Sequence, residues 1–403
     1  MEMRDVVSIL FLNAWVITMN PRREILEQGA VCVKGGTIAE VGLSPALAEA
    51  YPEAEVIDCR GNLIFPGLIE PMAQVGTALL GRQHADHPGK WRAKQRRFWR
   101  EADEETLALD GALLARKALN WGITTLGIIY PADMWEAGKD SHLRGAQAAG
   151  IRPLPFFTCS RGSLGDAREH RFFDGILDEL SPGELQAALD GGQAGTNLFM
   201  TRERFDKYQD VLPHIAADGS KPAFSGCHGI SFPQVRRMAK YGIRAIYGPD
   251  TCLPDAHTLQ MLHQGVPVAL TSYAGHNRYS MDLMQTARRA QLYHITVHDD
   301  YHILPYGKTL EMMTIESAQV LGIQHITGSL EPGKSADLCV FDWRQSHLTP
   351  NFMPLQCALA RGSGRDFSMV MANGQFVKRN GGPRLPAESP LPEGIRRRWG
   401  VDG

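Results

Sequence analysis

Between about residues 62 and 333, short apolar runs alternate with amphipathic segments, and this rhythm most narrows the folds open to the chain. Helical LDGALLARKALNWG precedes strand-like ITTLGII, HLRGAQAAG precedes IRPLPFF, and NLFM, PAFSGCH, IRAIYG and VPVALTS continue the series. The helix-like segments end in Gly or Asp-Gly, which supply the left-handed residue of a helix stop. Apolar strands alternating with amphipathic helices imply a parallel sheet covered by helices. Seven or eight such units over about 270 residues fit a closed barrel better than an open sheet.

The ends of the chain are built differently. The first sixty residues carry three β-rich stretches, ILFLNAWVITM, AVCVKGGTIAEVG and AEVIDCRGNLIFPG, without helical periodicity. Near residue 335 the β rhythm returns in ADLCVFDW and FSMVMANGQFVKRNG, whose Asn373-Gly374 pair is a type I′ hairpin signal. The expected architecture is α/β: a (β/α)8 TIM-like barrel over 62–333, with a small β-sandwich domain made from residues 1–61 and 334–381. Residues 382–403, Pro-rich and ending in IRRRWGVDG, read as an extended tail.

Composition removes several function classes. Of 403 residues 42 are basic and 44 acidic, so the chain lacks the positive field used by nucleic-acid and polybasic membrane binders. No run approaches the roughly 20 apolar residues of a membrane span. Seven scattered cysteines, never spaced C-x-x-C, suggest neither a disulfide framework nor a zinc ribbon, and point to a reducing cytoplasm.

Three ordered phrases resemble the amidohydrolase superfamily, in particular its cytosine deaminase, chlorotriazine hydrolase and adenosylhomocysteine deaminase branch. They are GAVCVKGGTIAEVG with IDCRGNLIFPGLIE, HQGVPVALTS with the following GHN, and TIESAQVLGI with GSLEPGKSADLCVFD. The resemblance spans about residues 10–380 and implies the barrel fold, a small N-containing substrate, and a homodimer or higher oligomer. It also implies one Zn²⁺ or Fe²⁺ held by His-x-His on the first barrel strand, a His on the fifth and an Asp on the eighth, which would acidify a water.

This sequence departs from that pattern. After Pro66-Gly67-Leu68 the resemblance puts Met72 and Gln74 where the paired histidines belong, Met200 at the fifth-strand position and Tyr273 at the eighth. None of the fourteen histidines forms a His-x-His. Two thioethers, an amide and a phenol are a poor ligand set for a hydrolytic ion. Glu203 matches the family's proton-shuttling Glu and His228 its sixth-strand His, while His276 and Asn277 lie in the loop after strand eight.

The expectation is therefore an enzyme without bound metal or other cofactor, doing acid–base chemistry (elimination, isomerisation, cyclisation or C–N bond chemistry). Glu203, His228 and Tyr273 are its catalytic candidates; Gln74, Met72, Met200, His276 and Asn277 are its substrate contacts. A catalytically silent binding or assembly subunit and a metal-dependent deaminase or hydrolase with atypical ligands are the alternatives.

Plainer roles exist for the same residues. Glu203 suits the first turn of helix RERFDKYQDVL, His228 suits a strand end, and Met72 and Met200 suit gap filling. Two other clusters carry metal-ligating types: His84-Ala85-Asp86-His87, and His294, His298 and His302 around Asp299 and Asp300. The β-branched residues near His294 argue against a helix there. Cys227 adjoins His228, but neighbouring strand residues face opposite sides. Finally, KWRAKQRRFWR (90–100), with six basic residues and three aromatics, falls in the first long loop, as a solvated surface or a lid for an anionic ligand or acidic partner.

Overall fold

In a computed structural model, the chain is described over residues 8–76, 78–80, 88–131, 135–161, 171–190, 196–217, 222–249, 257–273, 280–350 and 352–379. Two eight-stranded sheets organise it. The first is formed by β1 (Ile9–Ile17), β2 (Ile25–Lys34), β3 (Thr37–Leu43), β4 (Glu55–Asp58) and β5 (Leu63–Pro66) from the N-terminal end. The second holds β6 (Leu68–Gln74), β7 (Ile123–Tyr130), β8 (Arg152–Thr158), β9 (Arg171–Phe173), β10 (Thr196–Thr201), β11 (Ala223–His228), β12 (Arg244–Tyr247) and β13 (Val268–Leu270). After it β14 (Leu338–Phe341), β15 (Phe367–Ala372) and β16 (Gln375–Arg379) return to the first sheet, where β14 pairs with β5.

The second sheet is wholly parallel, each strand pairing with the next in sequence order, and helices lie in every connection but that between β8 and β9, most of which is outside the described residues, as expected for a TIM-like barrel. Its side chains alternate between two cores. One lies under the helices and includes Leu126, Ile128, Tyr130, Phe157, Leu198, Met200 and Phe224. The other fills the lumen with Ile69, Met72, Ile129, Phe156, Phe172, Ala223, Ile246 and Ala269. Helix Ile315–Leu321 plugs the lumen at the N-terminal ends of the strands, because Ala318, Val320 and Leu321 join that inner cluster and Glu316 Oε2 accepts from Val268 N at 3.4 Å. The opposite, C-terminal ends are left for a site.

The hairpin between β15 and β16 turns at Asn373 and Gly374, with φ of 50° and 75°, as a type I′ turn requires. The helix expected in LDGALLARKALNWG runs Glu104–Asn120; Asp103 caps it by accepting from Thr106 N at 2.8 Å, and Glu104 and Glu105 favour its N-terminal dipole. Other local expectations need correcting. The first sixty residues include a helix, Ser44–Ala50, with Pro45 in its first turn, where the ring's fixed φ is compatible. Strand β9 is three residues, too short to show a period. The basic segment 90–100 lies in a helix, Pro88–Glu101, rather than a loop.

Two charged hubs bind the sheets together. Arg152 at the start of β8 reaches Asp337 just before β14, and also bonds Ser335 Oγ (2.8 Å), Thr125 Oγ1 (3.3 Å) and Asn373 Oδ1. Arg23, in the β1–β2 connection, pairs with Glu311 at 3.1 Å; Lys308 then bridges Glu311 (2.9 Å) and Glu316 (2.7 Å). Burial pushes the Glu311 carboxyl up, but the Arg23 and Lys308 contacts bring it net below the ordinary glutamate value.

Among the described residues no helix is long and apolar enough to cross a membrane.

Replacing Arg152 by Met should strand the fully buried Asp337 carboxylate and lower unfolding stability by about 3–5 kcal/mol in urea titration. Glu311 gives a pH dependence. Its folded pKa is depressed, so its stabilisation is full above the ordinary value of 4.5 and fades as pH falls through the folded value. Glu311→Gln should therefore cost most at neutral pH, and its difference from wild type should shrink as unfolding is measured at progressively lower pH.

Candidate active site at the barrel mouth

Strand β6 does not keep a regular register. Its pairing with β7 shifts between Glu70 and Ala73, and Gly127 faces the irregular segment, where a Cβ would lie 2.2 Å from the Pro71 carbonyl oxygen. The irregularity returns Met72 to the lumen, where it joins Ile129, Phe156, Phe172 and Tyr273. Gln74, half-buried, ends the strand opposite Ile129.

The sequence missed the group that holds this end of the barrel. Glu70 is fully buried and joins the first barrel strand to the residues after the last. Its Oε1 accepts from Thr271 Oγ1 and from Met72 N (3.1 Å), and its Oε2 from Ser272 N (2.9 Å) and Ser272 Oγ (2.6 Å). Burial raises its pKa, and the four hydrogen bonds only partly offset that. Thr271 Oγ1 in turn accepts from Tyr273 N at 2.9 Å. Tyr273 sits at φ 51°, a left-handed conformation that costs a non-glycine residue on the order of 1 kcal/mol and that this bonding supports. An acid inside the apolar run Leu68–Met72 was the available sequence signal.

The other expected residues separate. Met200 faces the helices and is buried in the outer core, so it is not a lumen contact; the lumen position belongs to its neighbour Phe199. At the end of β11, Gly226 and Cys227 have φ of 81° and 51°, and the pairing with β10 jumps from Met200–Gly226 to Thr201–His228. Cys227 is buried in the outer core. Glu203 is exposed in the first turn of helix Arg202–Tyr208, beside the Thr201 cap. Its carboxyl is held below the usual range by a backbone hydrogen bond and then by the Thr201 hydroxyl. His276 and Asn277 lie outside the described residues, as do His84, Asp86 and His87.

A second buried polar network fixes the segment after Gln74. Asp110 accepts from Gly76 N (2.9 Å) and Leu79 N (2.8 Å), and its Oδ2 lies 3.3 Å from His142 Nε2. The other His142 ring nitrogen meets the Tyr130 hydroxyl at 2.7 Å. Trp99 packs edge-on against Tyr130, and Phe98 and Trp99 are both buried. These two aromatics of the basic segment thus anchor its helix, while Arg96, Arg97 and Arg100 face solvent.

A family model described as the amidohydrolase family matches residues 232–377. Relatives align over nearly the whole chain. A 5'-deoxyadenosine deaminase of Methanosarcina mazei is 23% identical, covering 92% of this chain and 93% of its own length. A 5-methylthioadenosine/S-adenosylhomocysteine deaminase of Bacillus cereus is 25% identical, covering 92% and 94%. The chain is thus similar, over nine-tenths of its length, to deaminases, and over 232–377 to the amidohydrolase family.

Solved structures agree on the fold. An adenosine deaminase from Xanthomonas campestris with bound zinc superposes with a TM-score of 0.76 at 16% identity, covering 98% of each chain. An atrazine chlorohydrolase from Arthrobacter aurescens complexed with zinc gives 0.75 at 19%, covering 98% of this chain and 99% of its own.

These comparisons correct the expectation of metal-free chemistry, because the relatives are deaminases by name and the neighbouring structures hold zinc. The described residues alone do not fit such an ion. Among them no three His, Cys, Asp or Glu side chains are grouped to hold a metal, and the lumen presents a thioether at Met72 and a phenol at Tyr273.

Glu70→Gln keeps the side-chain shape but turns one acceptor into a donor facing Ser272 or Thr271. It should cost about 1–3 kcal/mol of unfolding stability in a denaturant titration, and Glu70→Leu, which strands every donor, should cost more.

Proposed function

We propose that this protein is a metal-dependent deaminase or hydrolase with an atypical ligand set, acting at a C–N bond of a small N-containing molecule of the adenosine class. The observation that carries the reading is similarity over more than nine-tenths of the chain to relatives named for deaminating 5'-deoxyadenosine and 5-methylthioadenosine or S-adenosylhomocysteine. Because the described side chains do not suffice for a metal, the reading draws its ligands from His84, Asp86, His87, His228 and His276. When bound, the ion would supply an acidified water. Gln74 and Tyr273 are then the groups that orient a polar substrate at the mouth, with Tyr273 held by the Glu70 network, and Glu203 remains the proton-transfer candidate. All six described cysteines are buried.

One observation favours a second reading, a barrel that binds or assembles without turnover: Met72, Ile129, Phe156, Phe172 and Tyr273 form an apolar fill at the mouth.

Elemental analysis and ammonia release from adenosine, 5'-deoxyadenosine and 5-methylthioadenosine separate the two. The enzyme reading expects close to one Zn or Fe per chain, turnover abolished by a chelator and restored by the metal, and loss of that metal in His84→Ala or His228→Asn. Protein that neither retains a metal nor releases ammonia from any of the three after Zn²⁺ or Fe²⁺ loading would establish the second reading instead.

A further inference from the structure

Helix Leu283–His298 carries His294 and His298 one turn apart, and it continues to His298 despite the β-branched residues around them. Asp282 caps its start by accepting from Met284 N at 3.0 Å, and left-handed Asp299 ends it at φ 49°. Helical geometry therefore sets the two imidazoles on one face, where residues four apart are neighbours. Their rings lie face to face, with centroids 6.0 Å apart and planes 19° from parallel.

His294 is anomalous. It is 1% exposed, yet among the described residues neither ring nitrogen has a hydrogen-bond partner. A buried polar group left unsatisfied costs about 1–3 kcal/mol, and such a group in a folded protein commonly marks an unseen water or ion. Its immediate walls are aromatic, with the Tyr247 ring at 6.0 Å and the Tyr293 ring at 5.1 Å. Burial, and then the neighbouring His298, lowers the His294 pKa to about 4, so at neutral pH the ring keeps a free lone pair.

We propose that His294 and His298 form a binding site for a borderline divalent transition metal, of the Cu²⁺, Ni²⁺ and Zn²⁺ class, on the outer side of the barrel. Imidazole is the preferred protein ligand of these ions, and a His pair at i, i+4 on a helix can share one. His298 is exposed, so its ring can tilt to bring both nitrogens onto an ion, with water completing the shell. His302 is not part of the pair: it lines a separate surface groove of about 310 Å³ with Arg288, Leu292 and Tyr306. The ordinary order of affinities makes Cu²⁺ the tightest of the three. The site is independent of the function proposed above, since it uses no lumen residue.

The test is calorimetric titration of chelator-stripped full-length protein with Cu²⁺, Ni²⁺ and Zn²⁺, paired with thermal melting. Wild type should bind Cu²⁺ more tightly than Ni²⁺ or Zn²⁺ and melt at higher temperature with Cu²⁺ present. His298→Ala, at an exposed position, should fold normally, weaken Cu²⁺ binding at least roughly tenfold and lose the melting shift. His302→Ala and His84→Ala should leave that Cu²⁺ site unchanged. The proposal is overturned if wild type shows no Cu²⁺ site, if His298→Ala binds as tightly as wild type, or if His302→Ala or His84→Ala removes the site instead.

Discussion

A buried carboxylate closes this barrel. The ladder of the parallel sheet runs without a break from β6 to β13, but among the described residues no backbone pairing joins those two strands directly. Glu70 spans the gap, accepting from Ser272 and Thr271 beyond β13 as well as from Met72 on its own strand. Removing a carboxylate from water is costly unless its lone pairs are filled. Here four donors fill them, and two of the four are the backbone N–H groups of Met72 and Ser272. The same bonding fixes Thr271, which receives the Tyr273 amide, so barrel closure and the shape of the mouth rest on one side chain.

The two ends of the barrel are treated oppositely. At the N-terminal ends, helix Ile315–Leu321 and the hubs at Arg152 and Lys308 clamp the lumen to the small sheet with charged and hydrogen-bonded contacts. At the C-terminal ends the backbone carries its irregularities: the shifted register of β6, left-handed Cys227 closing β11, and left-handed Tyr273 after β13. Irregular backbone persists only where its surroundings enforce it, and it tends to gather at functional sites. Chemistry at the C-terminal face is what a TIM-like barrel provides for.

Similarity to the amidohydrolase family and local site chemistry pull in different directions. The chain shares its fold with neighbouring structures that hold zinc and aligns over nine-tenths of its length with relatives named as deaminases. The described lumen is instead apolar, with Met72 and Tyr273 packed beside Ile129, Phe156 and Phe172. A shared fold does not by itself carry a shared site.

What the sequence determined by itself was whatever depends on near neighbours. Apolar period, helix stops and the Asn373-Gly374 turn sufficed for the barrel, the small sheet made from both ends, and most barrel strands. The three residues of β9 were too few to show a period, and β-branched residues near His294 misdirected the reading of a helix that tertiary contacts sustain. The site was legible only in part. Met72 and Tyr273 reach the lumen, whereas Met200 turns outward because strict alternation gives its neighbour Phe199 the inner position. Partnerships were not legible at all: Glu70 meets Ser272 across 202 residues, and Arg152 meets Asp337 across 185. Such pairs leave no periodic trace, because a hydrogen bond depends on distance and angle in space, and only closing the sheet brings its first strand to its last.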